Sequence, residues 1–312
     1  MNNEYFRNRY KKQQRRSHDC LFSIHSKKDT TMERARYWDL LEDNIIECTL
    51  CPHFCRIPEG RRGKCGVREN QGGVLYAVYY SLVSSLAVDP IEKKPLDFFH
   101  PGSKILSIGG YGCNLHCSFC QNHHISLEYD HREGEYITVD EMLGIAHLSA
   151  PKGNIGLAYT FNEPFIGYEY VYDCAKEIKQ DGLKNILVTN GYINRKPLEK
   201  ILPYIDAMNI DLKAFTPEFY QRIGGDLETV KNTIIKASAL CHVEVTTLVI
   251  EGENDNDVPE IAKWLAEINP DIPYHLSRFY PRYKYLDKPQ TSINTINRLA
   301  GEASKYLNRV IV

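Results

Sequence analysis

The chain has 312 residues, 43% of them hydrophobic and 25% charged, enough to bury one large core or one barrel with a smaller appendage. No apolar run reaches the length of a bilayer span, and the basic start lacks the apolar core of a secretory signal. Membrane and secreted classes are therefore set aside, and a cytoplasmic protein is expected.

The net charge of −2 conceals an uneven distribution: residues 1–31 carry eight Lys or Arg against three acids, a net of +5, which leaves −7 for the remainder. A basic arm of this kind can touch nucleic acid or another acidic surface, but its low apolar content reads as a disordered extension. A start at Met32 is the sharper reading, because the first helical pattern begins there, over residues 32–44. Of ten cysteines, seven fall in two tight clusters at ligand-like spacing, which points to metal chemistry in a reducing compartment. Cys20 reads as a free thiol in the arm, and Cys174 and Cys241 as packing residues.

The first cluster is Cys48, Cys51, Cys55 and Cys65, spaced Cys-x2-Cys-x3-Cys-x9-Cys, with glycines at 60, 63 and 66 to fold the last thiol back. Four thiols can saturate one metal and make a closed site. Zinc there is a structural staple; a second iron–sulfur cluster there is an electron relay or a substrate anchor; His53 can replace one thiol. Residues 74–88 read as one or two strands. Asp89-Pro90-Ile91-Glu92-Lys93-Lys94-Pro95-Leu96 is too polar and proline-rich for regular structure and reads as a rigid connection, with a place beside a substrate pocket as the sharper alternative.

The second cluster is Cys113-Asn114-Leu115-His116-Cys117-Ser118-Phe119-Cys120. It follows an apolar run over residues 105–108 and the break Gly109-Gly110-Tyr111-Gly112, so its thiols are expected at the C-terminal end of a strand. A cubane iron–sulfur cluster has four corners, and three thiolates leave one iron open. A zinc knuckle completed by His116, His123 or His124 is the plain alternative.

Further strand-like runs, at 155–160, 185–189, 207–212, 242–250 and 273–279, alternate with helical patterns. Val258, Ile261, Ala262, Leu265 and Ile268 share one helix face after the polar run 254–257; a last helix is expected over 293–307 and a closing strand over 309–312. Six βα units imply right-handed crossovers and a parallel sheet, here a partial (β/α)6 barrel of the TIM type behind a small N-terminal cysteine-rich segment. The expected division is 1–31 arm, 32–100 cysteine-rich and strand segment, 101–290 barrel, and 291–312 C-terminal helix and closing segment. Functional loops of such a barrel lie at the C-terminal strand ends, where Asn162, Glu163, Asn190, Asp211, Lys213 and His275 are expected to ring the same rim as Cys113, Cys117 and Cys120. Singly, the asparagines suit turns, Asp211 and Lys213 a solvated pair, and His275 a satisfied core histidine.

Four stretches carry a resemblance. Cys51-Pro52-His53-Phe54-Cys55, Gly63-Lys64-Cys65-Gly66-Val67-Arg68-Glu69-Asn70, Asp89-Pro90-Ile91-Glu92-Lys93-Lys94-Pro95 and Gly112-Cys113-Asn114-Leu115-His116-Cys117-Ser118-Phe119-Cys120-Gln121-Asn122 resemble the AmmeMemoRadiSam system radical SAM enzymes. These belong to the pyruvate formate-lyase activating enzyme-like branch of the radical S-adenosylmethionine superfamily, and the likeness runs over about residues 48–283. It implies that Cys113, Cys117 and Cys120 hold a [4Fe–4S] cluster whose open iron takes the amino and carboxylate groups of S-adenosylmethionine. Reductive cleavage, fed by an electron donor, then gives methionine and a 5′-deoxyadenosyl radical that takes a hydrogen atom from an unidentified small-molecule or protein substrate. Asn162 and Glu163 stand where many relatives place a Gly-Gly-Glu segment beside the methionine amino group, and Asn190, Asp211, Lys213 and His275 are implied for the carboxylate and ribose. No side chain near the rim is singled out as an acid, base or radical relay. Activation of a glycyl-radical enzyme is the inherited reading; a zinc-stapled binding module with its arm on nucleic acid is the competing class.

Overall fold

Residues 32–129 and 133–312 are described by the structure, a computed structural model; the basic arm and Cys20 lie outside them. The stretch after Met32 does not coil into the expected helix. It zigzags through β1 (Glu33–Arg34) and β2 (Trp38–Leu40), then a 3-10 turn at Glu42–Asn44. Tyr37, Asp43 and Asn44 all adopt positive φ, at 59°, 56° and 56°, which breaks any helical run. The backbone groups instead pair with strands later in the chain, which local periodicity could not reveal.

β2 pairs with β3 (Ile46–Cys48), which pairs with β4 (Arg56–Ile57); β1 pairs with β6 (Val74–Ala77), which pairs with β5 (Arg68–Gln71). Cys48 ends β3, and Cys51, Cys55 and Cys65 lie in the loops that join the strands of these two small antiparallel sheets. The sheets are tied to the rest by a fully buried ion pair, Arg68 to Glu169 at 3.1 Å, whose second guanidinium nitrogen also reaches Glu169 Oε2 at 3.4 Å. The stretch 74–88, expected to form one or two strands, forms three: β6, β7 (Leu82–Val83) and the start of β8 (Ser85–Pro90). β8 thus runs into the segment expected to be irregular, and a 3-10 turn follows at Ile91–Lys93.

Then come β9 (Lys104–Gly109), β10 (Glu135–Tyr136), which pairs with β7, and the parallel series β11 (Asn154–Tyr159), β12 (Lys184–Thr189), β13 (Ala207–Asp211), β14 (His242–Val249), β15 (Tyr274–Arg278) and β16 (Val310–Ile311). One sheet holds eight of these in the order β16-β15-β14-β13-β12-β11-β9-β8. All its neighbours are parallel except β8, which runs antiparallel to β9 along the edge. This is the expected partial barrel, its six βα strands in chain order.

Strands buried on both faces read as nearly continuous apolar runs because each face meets a separate core. Leu106, Leu157, Leu187, Met208 and Val245 face the helices, with Met142, Cys174, Ile234 and Leu265 against them. Ile105, Ala158, Ile186 and Ala207 point inward and are sealed from below by Ile91 and Leu96 of the β8–β9 connection. That connection is the floor of the barrel. The outer helices start where capping dictates: Thr138 and Glu141 make a reciprocal capping box at Val139–Leu148, Asp226 caps Leu227–Ser238, and Ser292 caps Ile293–Ala303.

Candidate functional site

β9 ends at Gly109, and the chain turns through Gly110, Tyr111 and Gly112 into the thiol loop. Gly112 is the position that requires glycine: its φ is +82°, and a Cβ there would lie 2.4 Å from the Cys65 carbonyl oxygen. The two cysteine loops therefore touch through backbone. The Gly112 amide donates to the Ile125 carbonyl at 2.8 Å, closing the loop on itself.

Polar groups from the neighbouring strand ends grip this loop. Asn162, just past β11, accepts from the Gly110 amide at 2.8 Å and donates to the Gly112 carbonyl at 3.1 Å. Asn190, just past β12, donates to Asn114 Oδ1 at 2.9 Å and approaches Cys113 Sγ at 3.7 Å. Asn114 passes the hold on, donating to the Tyr192 carbonyl at 2.7 Å while its own carbonyl meets His53 Nε2 at 2.7 Å. Glu163, buried, accepts from the Phe165 amide, the Thr189 hydroxyl and the Asn190 amide at 2.9, 2.7 and 2.8 Å. Burial nonetheless outweighs these donors and lifts its carboxyl to about 7. Asp211, the last residue of β13, pairs with Lys213 at 2.9 Å. Burial works against the Lys213 ammonium, but Asp211 and the neighbouring Cys117 hold its pKa above the ordinary lysine value.

The three thiols lie in this ring. Burial, then Glu163 and the neighbouring Cys117, push Cys113 well up; burial pushes Cys117 to about 11 against the pull of Lys213; Cys120 rises for the same reason. Such thiols surrender their protons to a bound cation, so the donor set suits a metal cluster. Of the histidines offered to a zinc knuckle, His123 stacks on Tyr283 with ring centroids 4.6 Å apart.

His275 is the second residue of β15 and pairs laterally with Thr246 and Ile311. Its Nε2 meets Glu244 Oε2 at 2.6 Å, and its Nδ1 lies 3.5 Å from Asp97, a residue of the floor. Glu244 in turn accepts from the Asp97 and Phe98 amides at 3.1 and 2.8 Å and from His242 at 2.8 Å. His275 thus faces the barrel interior, in lateral register with Asp211 through Thr246, and is held there by Glu244 and Asp97.

Cys48, Cys51, Cys55 and Cys65 line a small pocket with His53, Gly63, Arg68 and Asn114. Burial raises Cys48, brings Cys51 to about 12 and brings Cys65 to about 11. Both His53 ring nitrogens have partners, the Asn114 carbonyl at 2.7 Å and Lys64 Nζ at 3.4 Å. Among the described residues no three Cys, His, Asp or Glu side chains converge at single-ion distances. The buried Arg68 Nε, which belongs to this lining, has no hydrogen-bond partner. An orphan guanidinium N–H is an anion donor, and a metal held by four thiolates carries net negative charge, so the lining fits such a centre. Sequence reasoning missed Arg68 and Asn114: the first hides in a polar strand, and the second in the shadow of Cys113.

The Radical SAM superfamily profile matches residues 107–265. An uncharacterized protein of Methanocaldococcus jannaschii is 41% identical over 290 residues, covering 88% of this chain and 84% of that protein. A putative glycyl-radical enzyme activating enzyme of the same organism is 27% identical over 237 residues, covering 71% of this chain and 93% of that one. Among solved structures, Streptococcus suis SuiB bound to S-adenosylmethionine superposes with a TM-score of 0.51 at 15% identity, over 67% of this chain and 51% of that chain.

Proposed function

The chain belongs to the Radical SAM superfamily, and we propose how its own residues serve that chemistry. It is a radical enzyme whose cofactors are a [4Fe–4S] cluster and S-adenosylmethionine. When bound, these supply reductive cleavage to methionine and a 5′-deoxyadenosyl radical that takes a hydrogen atom from a substrate.

The observation that carries the assignment of roles is the grip of Asn162, Glu163 and Asn190 on one thiol loop at the strand ends. Cys113, Cys117 and Cys120 hold the cluster and leave one iron open. Asn162 has both ends of its amide committed to the loop and to the Glu163 carbonyl, so it shapes the backbone and does not contact S-adenosylmethionine. Glu163 uses three of the roughly four acceptor sites of a carboxylate, which leaves one for the methionine ammonium. Lys213 offers its cation to the methionine carboxylate, and half-exposed Asp211 its free oxygen to the ribose hydroxyls. Asn190 fixes the loop at Cys113. Burial of this ring excludes water from the reacting centre.

Cys48, Cys51, Cys55 and Cys65 hold a second, closed metal centre, zinc or iron–sulfur, with Arg68 balancing its charge; orphaned Arg68 Nε supports this. Free thiols in both clusters support a cytoplasmic setting, and no helix among the described residues is long and apolar enough to cross a membrane. A one-electron donor is required. A second reading, activation of a glycyl-radical enzyme, is favoured by the name of the Methanocaldococcus jannaschii relative that this chain covers almost whole.

The test is S-adenosylmethionine binding to anaerobically reconstituted protein. Lys213→Met should weaken binding about tenfold to a hundredfold while iron and sulfide content hold; equal binding would overturn the Lys213 assignment. Elemental analysis of Cys51→Ser then decides the second centre, which should lose its metal while iron at the other loop persists.

A further inference from the structure

We propose that Lys94 anchors a carboxylate of the substrate, a small carboxylic acid received inside the barrel beneath the thiol loop. The inference rests on the radical-enzyme reading above and specifies its substrate class.

β8 is the antiparallel edge strand of the sheet, and Asp89 lies opposite Ile105, one of the inward-facing residues. Directly opposite residues of an antiparallel pair point to the same face, so Asp89 faces the barrel interior. Lys94, in the floor connection, reaches Asp89 Oδ2 at 3.0 Å with a side chain only 3% exposed. A lysine ammonium has three donors, and among the described residues Asp89 is the one oxygen partner of this one. The face of Phe161 lies beside it, with the ring centroid 4.8 Å from Nζ.

Phe161 holds an uncommon backbone, φ 72°, of the kind that is costly outside glycine and collects at ligand clamps. Its carbonyl accepts from Asn122 at 2.7 Å, two residues beyond Cys120, so it belongs to the underside of the thiol loop. Its ring folds over Gly109, where an added Cβ would meet Phe161 at 3.1 Å. Two residues back along the same face stands Ser107, fully buried, its hydroxyl without any hydrogen-bond partner. An ammonium with spare donors and an orphan hydroxyl belong to one inward face, on the side where Phe161 meets the thiol loop. An anionic oxygen pair would satisfy both, and exposed Lys93, 3.4 Å from Asp89 Oδ1, leaves Asp89 and the two lysines net positive for it. The Phe161 ring covers Lys94 in the free enzyme and yields its seat to the carboxylate, exchanging a cation–π contact for an ion pair.

The experiment uses metabolites from cells grown in deuterium oxide, exchanged into ordinary water, passed through an ultrafilter and split on an anion exchanger. Reconstituted full-length enzyme with S-adenosylmethionine and dithionite as reductant is given each fraction. Abstraction breaks a substrate C–D bond, the deuterium atom joins the 5′ carbon of 5′-deoxyadenosine, and the odd electron stays on the substrate carbon. Deuterium per 5′-deoxyadenosine should come from the anionic ultrafiltrate and fall about thirtyfold in Lys94→Met. Because that variant strands Asp89, Asp89→Asn/Lys94→Met is measured beside it and should lose transfer equally, while Lys94→Arg restores part of it. Transfer from the neutral fraction or from the protein retentate, or transfer in the double variant equal to the parent enzyme, overturns the anchor and leaves the radical reading standing. No 5′-deoxyadenosine from the parent enzyme overturns both.

Discussion

Replacing Glu244 by Gln tests its hold on His275. The Glu244 side chain is 0% exposed, and burial alone would raise its carboxyl; hydrogen bonds from His242 and His275 and from the Phe98 amide win and bring it from 4.5 to about 2. A depressed acid stabilises the fold above its unfolded value, near pH 4.5, and loses that contribution as pH falls toward 2. A shift of about 2.5 units at about 1.36 kcal/mol each corresponds to roughly 3 kcal/mol at pH 7. For a domain of this size that lowers Tm by about 6–12 °C. Urea unfolding at pH 7 should show the variant roughly 3 kcal/mol less stable, with the gap narrowing by about half at pH 3 as the unfolded-state carboxyl takes up its proton. A variant within about 0.5 kcal/mol of wild type at pH 7, or a gap unchanged at pH 3, refutes the four-way bonding of Glu244.

Gly112→Ala should drive a Cβ into the Cys65 carbonyl at a positive φ, and iron per chain after reconstitution should drop sharply while the barrel keeps its circular dichroism. Asn190→Ala frees Asn114 Oδ1 and the Cys113 side; 5′-deoxyadenosine formation should fall about tenfold to a hundredfold, as for other groups that orient metal ligands. Arg68→Met strands buried Glu169 and should cost about 3–5 kcal/mol in denaturant unfolding, together with loss of metal from Cys48, Cys51, Cys55 and Cys65.

The barrel was legible because its strands are buried on both faces and separated by amphipathic helices, a pattern that local periodicity carries in full. Residues 185–189 are an example: Asn185-Ile186-Leu187-Val188-Thr189 can hardly be anything but a core strand. The thiol loop was legible because ligand spacing is itself local. The stretch after Met32 was not, since its strands are defined by partners in β3 and β6 and by positive φ at Tyr37 and Asp43. The partners of His275 were not legible either, since Glu244 stands on the neighbouring strand and Asp97 in the floor connection. Arg68 escaped notice for a related reason, its charge being buried by contacts with Arg36 and Glu169, which are distant in the chain.

The central claim, that Cys113, Cys117 and Cys120 carry the radical chemistry, is tested most directly by 5′-deoxyadenosine formation in Cys117→Ala. Cys174→Ala serves as a control, since that thiol is buried among core residues against β11. Under dithionite with S-adenosylmethionine, the account predicts that Cys117→Ala loses the cluster and makes no 5′-deoxyadenosine, while Cys174→Ala makes it as the parent does. Cleavage persisting in Cys117→Ala contradicts it.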